Sequence, residues 1–373
     1  MDHLRRFRSV PSLDLARARF PTFEFIESTD SLDSLVEAMV ALVNRRELIT
    51  ASRALAEAAD DPAKALMAET IAFDAASTLS RSIPGSSVTR YSDSLNRLAL
   101  YQQRELTGET PGISFCFPEL DAMTYGAQPN DLVVVEGFLG MKKSSWMVKV
   151  CADAYFNHGK TPLFHSLEMD GDKLAARWDA IALGVKYSAI KRLKLGEGDL
   201  RKWEEIGQRA EESRFEKDII VLDSERHPSA ESIFASIQRF NPDFTVVDTL
   251  DEVRAPKHLK TVWEQADYTA RELKGVARAT KSTVFAIAQA GREAEKEGAT
   301  IGNVATSITI PRKADIVVGI HSTPQQMKAH MTEFRLLKNR DEGGTGTSWS
   351  AFFDPSTMTL RPWTPADAVA TKP

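Results

Sequence analysis

The sequence predicts an α/β fold, a mostly parallel sheet covered by helices on both faces, with a small all-α region ahead of it and antiparallel strands behind. Three observations predict this. After Pro111, short apolar runs at 132–135, 162–166, 219–222, 244–248, 284–288 and 316–320 alternate with helical patterns that include 173–183, 200–212, 230–240 and 262–280. Before Pro111 the periodicity is helical only. After residue 331 the helices stop, and 332–338, 348–353 and 358–360 read as antiparallel strands, the first two joined by a glycine-rich turn over 341–346.

Taken in order, residues 1–30 carry Pro11 and Pro21 without sustained periodicity and read as an irregular arm. From Ser31, an N-cap residue, Leu32, Leu35, Val36, Met39, Leu42 and Val43 recur at helical spacing. Asp60-Asp61-Pro62 breaks the pattern, and Met67, Ile71, Ala75 and Leu79 mark a second helix. Residues 1–81 thus read as a helical hairpin, a packing module. Ser82-Ile83-Pro84-Gly85-Ser86-Ser87 opens a linker over 82–110, which holds an amphipathic helix at 93–106. A lone helix of that length is marginal unless it docks, and in an oligomer a neighbouring subunit offers the surface. Residues 111–373 form the α/β domain.

Composition narrows the function classes. With 373 residues, 42% hydrophobic and 27% charged, the chain can bury a core on the scale of two domains. No apolar run approaches the roughly 20 residues that span a bilayer, and the start lacks the apolar block of a signal peptide. The expectation is a cytoplasmic protein with no membrane contact. Cys116 and Cys151 lack CxxC pairing, which argues against a disulfide framework or a zinc site; both sit among apolar residues and read as core. A net charge of −5 disfavours a surface that coats nucleic acid, so any such contact must be local, in a groove or channel.

The chemistry centres on Asp131 to Trp146, DLVVVEGFLGMKKSSW. A buried strand, a polar turn holding Gly137 and Gly140, then Lys143-Ser144 and a helix from Ser145 is the layout of a phosphate-binding loop. Backbone N–H groups wrap the phosphates, the lysine reaches their terminal oxygens and the serine hydroxyl ligates Mg²⁺. The match to G-x-x-x-x-G-K-[ST] fails at one place, where Lys142 replaces the second glycine.

Ligands of open α/β sheets bind at the carboxyl ends of strands, and the residues found there are suggestive. Asp248 closes an apolar run in the manner of a Walker B acid or, more simply, as a turn residue. Glu168 follows the strand at 162–166 and suits a base that polarises water, although Glu168 or Asp170 would equally serve a helix N-terminus. Gln289 ends another strand with an amide fit to sense a γ-phosphate. Lys338 and Arg340 end a late strand and suit charge neutralisation, as an arginine finger does, or an exposed charged hairpin. Arg254, Lys257, His258 and Lys260 form a basic loop, and 291–305 is a long polar one.

With these residues in order, the chain resembles the RecA-like motor domain of the DnaB-like replicative hexameric helicases of bacteria and phages, from about Arg45 to Trp363. Phe164-His165-Ser166-Leu167-Glu168-Met169 is close to that family's F-S-L-E-M, with Leu174 and Arg177 after it. Val246-Val247-Asp248-Thr249-Leu250 stands for its V-I-D-Y-L, Ile287-Ala288-Gln289 with Arg292 for its S-Q-x-x-R, and Lys338-Asn339-Arg340 with Gly343, Gly344 and Gly346 for its finger motif. Arg46-Glu47-Leu48-Ile49 is similar to the end of its N-terminal collar, which would be shortened here.

The resemblance implies a RecA-like P-loop ATPase in a ring of six, with ATP at subunit interfaces and single-stranded DNA through the centre. Gly137, Gly140, Lys142, Lys143, Ser144, Ser145 and Asp248 would form the nucleotide site, with Ser144 and Asp248 holding Mg²⁺ and Glu168 activating water. Gln289 would couple nucleotide to the DNA loop, and Lys338 and Arg340 would reach the neighbour's γ-phosphate. A primase or a helicase loader would be a partner. The family's charged D-L-R-E-S-G run in the DNA loop is replaced by uncharged 303–308, so Arg254, Lys257, Lys260, Arg292 and Lys296 are the candidates for DNA contact. The implied function is an ATP-dependent replicative DNA helicase translocating on single strands. The alternative is a RecA-like scaffold or assembly subunit with weak or no hydrolysis, favoured by Lys142 and the uncharged loop; a recombinase-like or loader-like ATPase is a third.

Overall fold

The middle of the sheet is set by β1, Leu132–Gly137, whose six residues are all buried. A strand covered on both faces needs apolar, β-branched residues without alternation, and Leu-Val-Val-Val supplies them. The computed structural model describes residues 112–367 apart from 214–215, 224–226, 257–258, 290–312, 342 and 365, together with isolated positions between 49 and 102. The nine-stranded sheet has the order β3-β2-β4-β5-β1-β6-β7-β8-β9. Its parallel part is β1 with β2 (Pro162–Ser166), β3 (Ile220–Asp223), β4 (Phe244–Asp248), β5 (Thr283–Gln289) and β6 (Ile316–His321). β7 (Met331–Asn339), β8 (Ser348–Asp354) and β9 (Thr359–Pro362) continue it antiparallel. The mixed α/β architecture expected from the alternating pattern is the one observed.

Most strands run a residue or two beyond the apolar run that announced them. β1 includes Glu136 and Gly137 because both remain in register between neighbours, Glu136 opposite Ala288 of β5 and Gly319 of β6. The two faces of the sheet carry separate cores, as the two-residue period of a strand requires. Val133 and Val135 pack with Trp146, Phe164, Val246 and Phe334 beneath α2 (Lys143–His158) and α3 (Gly171–Leu183). Leu132 and Val134 pack with α6 (Ala230–Phe240) and α7 (Val262–Thr280), whose stripe Ala266, Ala270, Leu273 and Ala277 is buried as its spacing predicts.

Helices α4 (Tyr187–Lys191) and α5 (Glu197–Ser213) follow α3, and the short helices α1 (Pro118–Thr124), α4 and α8 (Pro324–Lys328) escape sequence periodicity because each spans two turns or fewer. The hairpin expected over 1–81 lies outside the described residues but for three positions. Of the linker helix, Ser94, Leu95, Leu98, Ala99, Tyr101 and Gln102 are described and helical. Cys151 is fully buried as expected, whereas Cys116 is only half-buried. Among the described residues, no helix is long and apolar enough to cross a membrane.

Candidate nucleotide site

The carboxyl ends of β1, β2, β4 and β5 converge on a cleft of about 310 Å³. Of the residues expected there, Gly140, Lys142, Lys143, Ser144, Ser145, Glu168, Asp248 and Gln289 all line it. Gly137 ends β1 and opens the loop; a Cβ there would come within 2.7 Å of the Ile320 carbonyl oxygen, so the close approach of β6 demands glycine.

Lys142 holds the place of the missing glycine with a glycine's backbone, φ 64° and ψ 19°. For an L-residue this left-handed conformation costs about 1–2 kcal/mol. Its side chain runs to the antiparallel strands, where Nζ donates to the Phe353 carbonyl (2.9 Å) and the Thr332 hydroxyl (3.3 Å) and stands 5.5 Å from the centre of the Phe353 ring. The sequence departure therefore leaves the turn intact. Lys143, almost fully buried, donates from Nζ to the Gly137 and Phe138 carbonyls at 2.7 and 2.9 Å. Burial lowers its pKa, while Asp248, Glu168, Asp251 and Glu136 pull it back up.

Asp248 is 1% exposed and neither carboxylate oxygen has a hydrogen-bond partner. Burial pushes its pKa up to about 6; the Ser144 hydroxyl opposes the shift without completing a hydrogen bond. An orphaned carboxylate at this depth is a costly feature that a cation would relieve. Glu168 and Asp170, equal candidates for the helix N-terminus, divide the work. Asp170 caps α3 by accepting from the Asp172 N–H, while Glu168 Oε1 accepts from Gln289 Nε2 at 2.9 Å, across the end of β4. The Leu167 N–H, donating to the Asp248 carbonyl at 2.7 Å, fixes the two strand ends against each other.

Three ionisable groups in or beside the cleft, Arg177, Asp251 and Glu136, carry no role assigned from the sequence. Arg177 of α3 lines the cleft, with Nη1 3.4 Å from Ser145 Oγ and a buried Nε that lacks a partner. Its mark in the sequence is its place, with Leu174, after the F-S-L-E-M-like motif. Asp251 accepts from the Gln289 N–H at 3.1 Å. Glu136, wholly buried, leaves both oxygens unpartnered one residue before the phosphate loop, and burial raises its pKa to about 8 against the pull of Lys143.

Lys338 and Arg340 lie at the opposite end of the sheet. β7 runs antiparallel to β6, so Asn339 pairs with Ile316 at the start of β6. Lys338 Nζ donates to the Ala314 carbonyl at 2.6 Å and Arg340 pairs with Asp315 at 3.2 Å, the same aspartate that accepts from the Leu132 N–H at the beginning of β1. The length of β1, about 20 Å at roughly 3.3 Å per residue, separates them from the loop of their own chain. Arg254 and Lys260 are placed after β4, both exposed. Lys257, Arg292 and Lys296 lie outside the described residues.

The family model for the DnaB-like helicase C-terminal domain matches residues 112–360. The chain belongs to this family. Replicative DNA helicase DnaB of Pasteurella multocida is 26% identical over 235 residues, 61% of this chain and 50% of that protein. The DnaB of Leifsonia xyli is 24% identical over 221 residues, 57% and 47% of the two chains. The chain thus spans about half the length of these relatives. Among solved structures, an isolated ATPase domain superposes with a TM-score of 0.63 at 21% identity, covering 74% of this chain and 100% of that one. A DnaB-like replicative helicase described with its interactions with primase gives 0.61 at 19% identity, over 91% and 81%. These two likenesses are of fold.

Proposed function

We propose that the chain is the motor of an ATP-driven replicative helicase that translocates on single-stranded DNA as a ring, with six subunits as the ring size. One observation carries the reading: the partnerless Asp248 carboxylate, buried beside Lys143 and Ser144, with the Glu168–Gln289 pair on the same cleft. The donor set fits a magnesium nucleotide. Ser144 and Asp248 would hold the ion, Lys143 and the N–H groups of 140–145 the phosphates, and Mg²⁺ supplies charge neutralisation of the phosphate chain when bound. Glu168 is placed to accept a proton from water, and its bond to Gln289 ties that base to the strand leading into 290–312.

Lys338 and Arg340 serve the neighbouring copy's nucleotide, since their own loop is a strand's length away; the site is complete only between subunits. DNA contact rests on Arg254, Lys257, Lys260, Arg292 and Lys296, chiefly through phosphates and without sequence preference. Residues 1–81 act as a shortened collar and 82–110 as the linker whose helix docks on the next subunit. A primase-type partner is in keeping with the solved DnaB-like helicase described with primase, and the reading implies a cytoplasmic protein. Lys142, which had favoured a non-hydrolysing scaffold, adopts the backbone of the glycine it replaces. The deciding experiment measures ATP hydrolysis with and without single-stranded DNA on protein of determined mass. Stimulation by DNA in an oligomeric fraction is expected; a monomer that binds ATP and never hydrolyses it overturns the motor.

A further inference from the structure

Lys142 connects two parts of the molecule that the parallel sheet alone leaves independent. Its backbone belongs to the phosphate loop, and its ammonium is bonded to Thr332 of β7 and to the Phe353 carbonyl near the end of β8. Two residues beyond Phe353, Pro355 lines the same cleft as the loop, on the segment that leaves β8. The bond therefore spans from one wall of the cleft to the strand that carries the other.

We propose that Lys142 is a positioning residue, a strap that holds the phosphate loop to β8 so that ordering of the loop by nucleotide is passed to the segment 353–357. This rests on the nucleotide reading of the cleft, and it adds a role that a glycine at this position lacks. A glycine would adopt the same left-handed turn more readily, so the lysine is not there for the sake of the turn. What it adds is a charged donor, and hydrogen bonds from charged groups are the stronger kind. The strap also touches β7, whose other end carries Lys338 and Asn339.

The test compares wild type, Lys142→Gly and Lys142→Arg by amide hydrogen exchange, each with and without a non-hydrolysable ATP analogue and Mg²⁺. The glycine variant keeps the backbone geometry, so it folds; the arginine variant restores a charged donor. In wild type and in Lys142→Arg the analogue should slow exchange both in 138–146 and in 353–357. In Lys142→Gly it should slow exchange in 138–146 alone, and the KM for ATP should rise about tenfold as the loop loses the two bonds that hold it to β7 and β8, with kcat changed less than about threefold. Protection of both segments in the glycine variant overturns the strap, as does protection of 138–146 alone in wild type; in both cases the nucleotide reading survives. Failure of the analogue to protect either segment of wild type removes the nucleotide reading and the strap with it.

Discussion

Glu136 offers a measurable link between burial and acid–base chemistry at the root of the phosphate loop. It is wholly buried, neither oxygen has a hydrogen-bond partner, and its pKa is raised from 4.5 to about 8 because burial penalises the charged form more than Lys143 favours it. Below pH 4.5 the carboxyl is neutral in folded and unfolded chains alike and contributes no pH dependence. Between 4.5 and about 8 the unfolded chain ionises while the folded one keeps its proton, so stability falls by about 1.4 kcal/mol for each pH unit. By pH 7 the loss is roughly 3 kcal/mol, and above about pH 8 it levels off. Glu136→Gln leaves a neutral, isosteric group in place and removes that slope.

For a domain of this size 1 kcal/mol corresponds to about 2–4 °C in Tm. Thermal melts without nucleotide should therefore show Glu136→Gln gaining little over wild type near pH 4.5 and roughly 6–12 °C at pH 7, with the gap constant well beyond pH 8. The difference between the two curves isolates this group from all others that titrate in the same range. A gap that is the same at about pH 5 and about pH 8 would refute the reasoning, since it would mean that the carboxyl ionises freely inside the folded protein. Removing Lys143 as well sharpens the test. Lys143 lowers the Glu136 pKa, so in a Lys143→Met background the gap should keep growing to a higher pH.

Three further outcomes follow from the geometry. Lys143→Ala should reduce the ATPase kcat by about 10²–10³, the cost of losing one charge-stabilising donor, with Tm within a few degrees of wild type; equal turnover in mutant and wild type would show that Lys143 is not the phosphate ligand. Arg340→Ala should bind ATP normally and lose turnover by about 10³ or more, and mixing it with Lys143→Ala subunits should recover part of the activity, because each mutant supplies what the other lacks across an interface. No recovery in mixed rings, with exchange of subunits verified, would count against a site shared between copies. Arg254→Ala with Lys260→Ala should weaken single-strand binding and flatten its logarithmic salt dependence by about 1.4, at roughly 0.7 per phosphate contact, and an unchanged slope would place the DNA elsewhere.

The parts of the site that can be read directly are those whose chemistry is contiguous in the chain. A fully buried strand needs an unbroken apolar run, a phosphate cradle needs glycine, lysine and serine within about eight residues, and strand ends in a parallel sheet gather at one edge whatever the loops do. Those constraints bring Lys143, Ser144, Asp248, Glu168 and Gln289 forward as candidates from the residues alone, with Asp170 still level with Glu168. The remaining parts depend on what meets across the sheet. Gln289 bonds to a carboxylate 121 positions away, Arg177 reaches Ser145 from a different helix, and Lys142 finds its acceptors 190 and 211 residues downstream. Read as a string, Lys142 is a damaged motif, because a rule that names glycine is really a rule about backbone torsion and room. A lysine satisfies both when its side chain has somewhere else to go, and only the fold of 331–354 supplies that place. Glu136 makes the converse point: a charge at the end of an apolar run looks like the edge of a strand, yet the register opposite Ala288 and Gly319 keeps it inside, where its proton becomes part of the stability of the domain.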